Sequence, residues 1–271
     1  FVFANLRELG IPPSSLCDDS TFIRRVSLDI AGRLPTEDET REFLASSEPD
    51  KRERVIDQLL RSPEYADFFA NKWTAMLKNR RDDASDITSN FAFFAWVRDG
   101  LLANKPYDQM VRELLAATGE VIANPPVAWY KRVKEPKQQL EDVAQLFLGV
   151  RMQCAQCHHH PFERWSQDDY YSFAAFFSQV GRKPTSTRGE DMIFHKRGIA
   201  GATNIKTGQL LKPAALGDPI PEITADQDPR LKLADWMGSP ENPYFAKALV
   251  NRYWKHFFQR GLIEPEDDIR D

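Results

Sequence analysis

The sequence predicts a mainly α-helical protein, an irregular multi-helix bundle with a small β-hairpin and loop insertion around residues 182–228. Three observations carry this. Apolar residues recur at helical spacing through most of the chain. The periodic stretches tend to begin on Ser, Asp or Asn and to end on Gly or Pro, the residues that start and stop helices. From Arg182 to Asp228 the helical pattern fades into Pro, Gly and Thr, and short strand-like runs appear.

Each element follows in order. In CDDSTFIRRVSLDIAGRLPT, acidic residues precede Phe22, Val26 and Ile30 at helical spacing, and Gly32 and Pro35 stop the helix. TEDETREFLASS and PDKRERVIDQLLRS are short amphipathic helices. SPEYADFFANKWTAMLK has Ser62 as its cap and Pro63 at the first helical position, with Tyr65, Phe68, Phe69, Trp73, Met76 and Leu77 as an apolar stripe. SNFAFFAWVRDGLLANK and PYDQMVRELLAATGE read as an αα-hairpin broken at Lys105–Pro106. The breaker-rich ANPPVAWYKRVKEP reads as a link. PKQQLEDVAQLFLGVRM is a helix that runs directly into CAQCH, and DDYYSFAAFFSQVG is an aromatic helix ending at Gly181. DMIFHKR and ATNIKTGQLLKP pair as a small β-hairpin. DPRLKLADWMGS is a short helix. NPYFAKALVNRYWKHFFQRG is capped by Asn242, has Pro243 at its first helical position and stops at Gly261. This organisation predicts a helical domain over 1–181, a linker region over 182–228 and the start of a second helical domain over 229–271.

Composition narrows the function. The chain has 271 residues, 42% of them hydrophobic, which is ample for a sizeable core. Its net charge of −4 gives no basic excess for a nucleic acid partner. Mean hydropathy is −0.52, and no apolar run approaches the length of a transmembrane segment. The opening Phe1, without a charged-then-apolar leader, and the abrupt ending EPEDDIRD read as a piece of a longer protein. Three cysteines make no disulfide framework, and Cys17 reads as an inert thiol near a helix start. No nucleophile elbow, phosphate loop or dinucleotide-binding glycine pattern is present. Asp18–Asp19 and Asp168–Asp169 precede apolar helices and read as caps.

The chemistry concentrates in CAQCHHHPFERW, Cys154 to Trp165, which holds two of the three cysteines and three of the five histidines. C-x-x-C-H is the attachment pattern of c-type haem. Two thiols one turn apart reach the porphyrin vinyl groups, and His158 then supplies an axial nitrogen. Arg164 and Trp165 would contact the cofactor, with Arg151 as a further basic flank and the aromatic run Phe162 to Phe177 as walls. Zinc is the main rival, with Cys154, Cys157, His158 and His160 as ligands, or with His195 or His256 as a distant one. A redox dithiol and a packed, metal-free corner are the remaining readings. A distal ligand would come from His256, His195, Met192, Met237 or Met152, or the iron would be five-coordinate. His256 shares a helix face with Arg252 and Arg260.

FIRRVSLDIAGRLPT, SPEYADFFANKW and FLGVRMQCAQCHHHPFERWSQDDYYSFAAFF resemble the cytochrome-associated domain of unknown function found in large planctomycete proteins. LADWMGSPENPYFAKALVNRYWKHFFQRGLIEPEDDIRD resembles the start of the domain that commonly follows it. The resemblance implies an exported, multidomain setting and a haem, and no known reaction. The family's cysteine motif maps onto Cys154, Cys157, His158 and His160, with His159 where relatives often carry Asp or Asn. The pattern N-R-x-W-x-H-x-F-x-R-G maps onto Asn251, Arg252, Trp254, His256, Phe258, Arg260 and Gly261, marking His256 either as a ligand or as part of a domain packing surface.

The expectation is a periplasmic or extracellular c-type haem protein, transferring electrons rather than catalysing a reaction. Its partner would be a redox protein or a larger multi-subunit complex, with no nucleic acid and no transmembrane segment. The alternative is a structural or assembly module with zinc or another metal at the same motif.

Overall fold

The structure, a computed structural model, describes residues 2–219 and 222–270. Twelve α-helices and two small antiparallel hairpins make up the described residues, the mainly α architecture with a small β insertion that the sequence predicts. Packing divides the chain into two units, with the division between Phe68 and Phe69.

The first unit holds α1 (Val2–Glu8), α2 (Asp19–Val26, continued by a π turn over Ser27–Ala31), α3 (Glu37–Ala45), α4 (Lys51–Leu60) and the opening of α5 (Pro63–Met76). Asp18 caps α2, its carboxylate accepting the Thr21 N–H at 2.7 Å. Gly32 ends the π turn at φ 67°, and a Cβ there would lie 2.2 Å from the Phe68 ring, so conformation and space both require glycine. Thr36 and Glu39 close a capping box at the start of α3. Glu39 also accepts both arms of Arg33, at 2.8 and 2.7 Å, and that guanidinium holds its carboxyl down at about 2. Lys51 and Arg52 reach Asp19 at 2.6 and 2.7 Å, fastening α4 to the start of α2.

The second unit begins within α5 and continues through α6 (Asp86–Leu102) and α7 (Tyr107–Leu115), the expected hairpin. The segment expected as a link is structured. A 3-10 turn over Pro125–Val127 leads into α8 (Ala128–Arg132), which buries Trp129 and Tyr130 completely. Five residues make no helix alone; tertiary burial holds this one. α9 (Pro136–Val143) continues as a π turn over Ala144–Leu148 and ends at Gly149, φ 67°, so it does not run into Cys154 as expected.

α10 (Gln167–Ala174) is followed by a 3-10 turn over Ala175–Phe177 and stops short of Gly181. Gly181 instead lies in β1 (Val180–Pro184), which pairs antiparallel with β2 (Asp191–His195). It sits opposite Phe194, and a Cβ there would fall 2.4 Å from that ring. The bare glycine lets the aromatic ring cover the strand. DMIFH therefore pairs with VGRKP, and the segment expected to pair with it folds on itself as β3 (Ala202–Thr203) and β4 (Leu210–Leu211).

The chain closes with α11 (Pro229–Met237) and α12 (Phe245–Phe258). Asn242 does not hold the cap position, which falls on Tyr244, but from two residues earlier its Oδ1 accepts the Tyr244 and Phe245 N–H groups at 2.9 Å each. The helix itself begins at Phe245, after Pro243, and ends at Gln259, which takes the left-handed position at φ 66° ahead of Gly261. Two polar knots lie in this unit. Buried Arg230 holds Asp228 at 2.7 Å, the Ala117 carbonyl at 3.1 Å and the Tyr130 hydroxyl at 2.9 Å. Asp86 receives Lys131 at 2.8 Å and Arg132 at 2.7 Å. Burial pushes that carboxyl up, but the two cations outweigh it and leave the group far below the usual range. No helix among the described residues is long and apolar enough to cross a membrane.

Candidate functional site

The cysteine–histidine stretch sits between the end of α9 and the start of α10. After Gly149 the chain enters a 3-10 turn over Gln153–Gln156. Three residues per turn align positions three apart. Met152 and Ala155 accordingly turn inward and are fully buried, while Cys154 and Cys157 are exposed free thiols. The turn closes through Ala155 N–H to Met152 O at 2.9 Å and Cys157 N–H to Cys154 O at 3.3 Å. From α10, Gln167 Nε2 donates to the Gln156 carbonyl at 3.0 Å and the Tyr171 hydroxyl to the same oxygen at 3.4 Å.

His158 is exposed, and its Nδ1 lies 2.6 Å from its neighbour's carbonyl, His159 O. A carbonyl only accepts, so Nδ1 carries the proton and Nε2 of the neutral ring keeps its lone pair. His160 is used differently. Its backbone N–H bonds Trp165 O at 2.9 Å, closing a loop, and its Nδ1 accepts the Phe162 N–H at 3.3 Å.

Trp165 is 3% exposed and meets Tyr244 edge-on at 6.3 Å. Arg164 lies over the Trp165 ring at 4.8 Å and donates to the Tyr244 hydroxyl at 2.9 Å. Both residues thus support the loop from α12's side of the unit. Tyr170, Tyr171, Phe173, Phe176 and Phe177, read as cofactor walls, are buried in the core instead, because α10 and the 3-10 turn after it turn their aromatic side chains inward. Phe162 remains outside, 75% exposed, with the Arg270 guanidinium 5.5 Å from its ring centre.

The segment after α12 also reaches this site, which sequence reasoning missed. Ile269 N–H bonds Gly149 O at 2.6 Å, and Asp267 receives Arg151 at 2.6 Å together with the Gln145 amide. Burial raises the Asp267 carboxyl, but those two donors outweigh it and hold it below its ordinary value. Tyr170 donates to Glu141 at 2.7 Å; burial first, and that carboxylate second, push its hydroxyl far up. Only EPEDDIRD, with its run of acids, carried any sequence signal for these partners.

The remaining candidates stand elsewhere. His256 lies on α12, edge-on to Phe69 at 5.2 Å and beside Phe257. His195 ends β2 with a buried Nε2, Met192 lies in β2, and Met152 and Met237 are core residues. Among the described residues, no group of three or more His, Cys, Asp and Glu side chains gathers to hold a metal ion.

A mainly helical protein with a surface turn presenting C-x-x-C-H is the class these features define. Residues 1–182 match PSCyt2, described as a protein of unknown function (DUF1549), and the chain belongs to that family. Residues 229–271 match PSD1, likewise described as a protein of unknown function (DUF1553). The two matches fall on the segments that carry the resemblance noted above. No curated protein and no solved structure matches the chain.

Proposed function

We propose that this chain carries one covalently attached haem c at Cys154, Cys157 and His158 and passes electrons within a larger extracytoplasmic assembly. One observation carries the reading: two exposed free thiols, one in a 3-10 turn and one directly after it, followed at once by an exposed imidazole whose Nδ1 proton is held by a carbonyl. The donor set fits the anchoring chemistry of the group, which when bound supplies a one-electron redox centre.

The chain's own residues would do the following. Cys154 and Cys157 provide the two thioether sulfurs. His158 would hold the iron through Nε2, with the His159 carbonyl fixing its tautomer and ring orientation. Gln167 and Tyr171 hold the Gln156 carbonyl and keep the turn in register. Arg164 and Trp165 brace the loop beneath, and Phe162 is the apolar side chain left outside to meet a flat ligand. The extracytoplasmic location and the redox partner protein follow from the same reading.

Zinc fits less well. His160 Nδ1 already accepts a backbone N–H, and His256, on α12, packs against Phe69 of α5, so neither readily completes a tetrahedral set with the two thiols. Expression beside a c-type maturation system tests the choice. The expected result is a Soret band that survives acid–acetone extraction and disappears in the double variant Cys154→Ala, Cys157→Ala. A colourless protein with stoichiometric zinc would overturn the reading in favour of a structural module.

A further inference from the structure

α12 and the part of α5 after Phe68 frame a cleft of about 300 Å³, which the haem reading leaves unused. Phe69, Trp73 and Tyr253 give it apolar walls that are already locked together. Phe69 stacks on Tyr253 at 5.5 Å, and Trp73 Nε1 donates to the Tyr253 hydroxyl at 3.4 Å. Arg252, Lys255 and Lys72 bring positive charge to the same space, and the Glu266 carboxylate lies in the same wall.

Arg252 and Lys255 are not equally matched, and Lys72 has a partner of its own. Lys255 lies 3.1 Å from Glu264 and 2.6 Å from Glu266, so its charge is compensated. Half-buried Arg252 meets the Met76 sulfur at 3.1 Å and the Leu146 carbonyl at 3.3 Å, and among the described residues no carboxylate pairs with it. A thioether and one long carbonyl bond are weak partners for a guanidinium with five donors. A cation withdrawn from water without a counter-charge is unfavourable. An arrangement of this kind gains most from an anion that arrives from outside.

We propose that this cleft binds a small organic monoanion: a carboxylate on Arg252, with a planar apolar body against Phe69, Trp73 and Tyr253. Arg252 without a carboxylate partner, with the Glu266 carboxylate in the same wall, suits one carboxylate better than a phosphate dianion, and the Arg fork matches a carboxylate with two parallel bonds. The volume lies at the low end of small-molecule sites, about 300–1,000 Å³, and admits one ring rather than a polymer. The proposal stands apart from the haem reading.

Calorimetric titration of the whole chain with benzoate, phenylacetate and their neutral amides tests it. At least one acid is expected to bind, about tenfold or more tightly than its amide. Arg252→Met should abolish that preference while the ligand-free melting temperature holds or rises, because Met removes the uncompensated charge. Arg252→Lys should keep the preference for anions at reduced affinity. The proposal fails if neither acid binds, if acid and amide bind alike, or if inorganic phosphate binds in preference. It also fails if Arg252→Met leaves acid affinity unchanged, or if that variant melts earlier without ligand, since the guanidinium would then be serving the fold.

Discussion

Cys154 lies in the 3-10 turn and Cys157 follows it directly, and both thiols are exposed. The same turn sends Met152 and Ala155 into the core, so burial of these two residues exposes the two thiols. Gly149 makes the change of direction. Its φ is 67°, and a Cβ would lie 2.8 Å from Ile269 Cδ1. Gly149→Ala is therefore expected to destabilise the protein by about 1–3 kcal/mol, through backbone strain and displacement of Ile269. Urea unfolding measures this, and an unchanged midpoint would refute the account. Gln167 is the complementary case. Its side chain is largely buried and its amide bonds the Gln156 carbonyl, so Gln167→Ala should cost about 1–2 kcal/mol by leaving that carbonyl with a long bond to Tyr171.

At the scale of elements, helix starts do more than begin helices. Ser166 caps α10 in a reciprocal box with Asp169, which fixes the position of Gln167 one residue on. Ser166→Ala should cost about 1 kcal/mol. α3 makes a pH-dependent case. Glu39 titrates at about 2 in the folded protein against an ordinary 4.5, held down first by Arg33. Folding favours its ionised form, so its contribution is fully present above pH 4.5 and is lost as pH falls from there toward about 2. Glu39→Gln should remove this part of the acid sensitivity. Denaturant unfolding near pH 6 and near pH 3 should show a smaller drop for the variant than for the wild type, and equal drops would count against the assignment.

For the molecule as a whole, the informative residue is Arg230. It opens α11, in the segment matched to the second family, and is 1% exposed. Its bonds to the Ala117 carbonyl and the Tyr130 hydroxyl reach into the segment matched to the first family. Ile269, Asp267 and Arg270 do the same around the candidate site. Within the second unit the two family segments therefore share one core. Removing Arg230 leaves Asp228 unpaired beside that core, so Arg230→Ala should cost about 3–5 kcal/mol. A chain ending at 228 should lose cooperative thermal unfolding in the second unit, seen by circular dichroism. A sharp, unshifted transition would show that the unit stands without its last two helices.

Local signals made much of this protein legible. Asp18, Ser62 and Asn242 each bond backbone N–H groups within three residues. The spacing of Cys154, Cys157 and His158 likewise needs one turn of chain, and the helical periods need only their own stretches. Tertiary structure alone decided the rest. α8 exists because Trp129 and Tyr130 are buried by residues far away in the chain. Gly181 joins a strand because Phe194, thirteen positions on, covers it. The aromatic run after the motif became core instead of a cofactor wall, and His256 came to rest on Phe69. Caps and periods are set by bonds a few residues long, whereas which face is buried, and against what, depends on partners that the order of residues does not name.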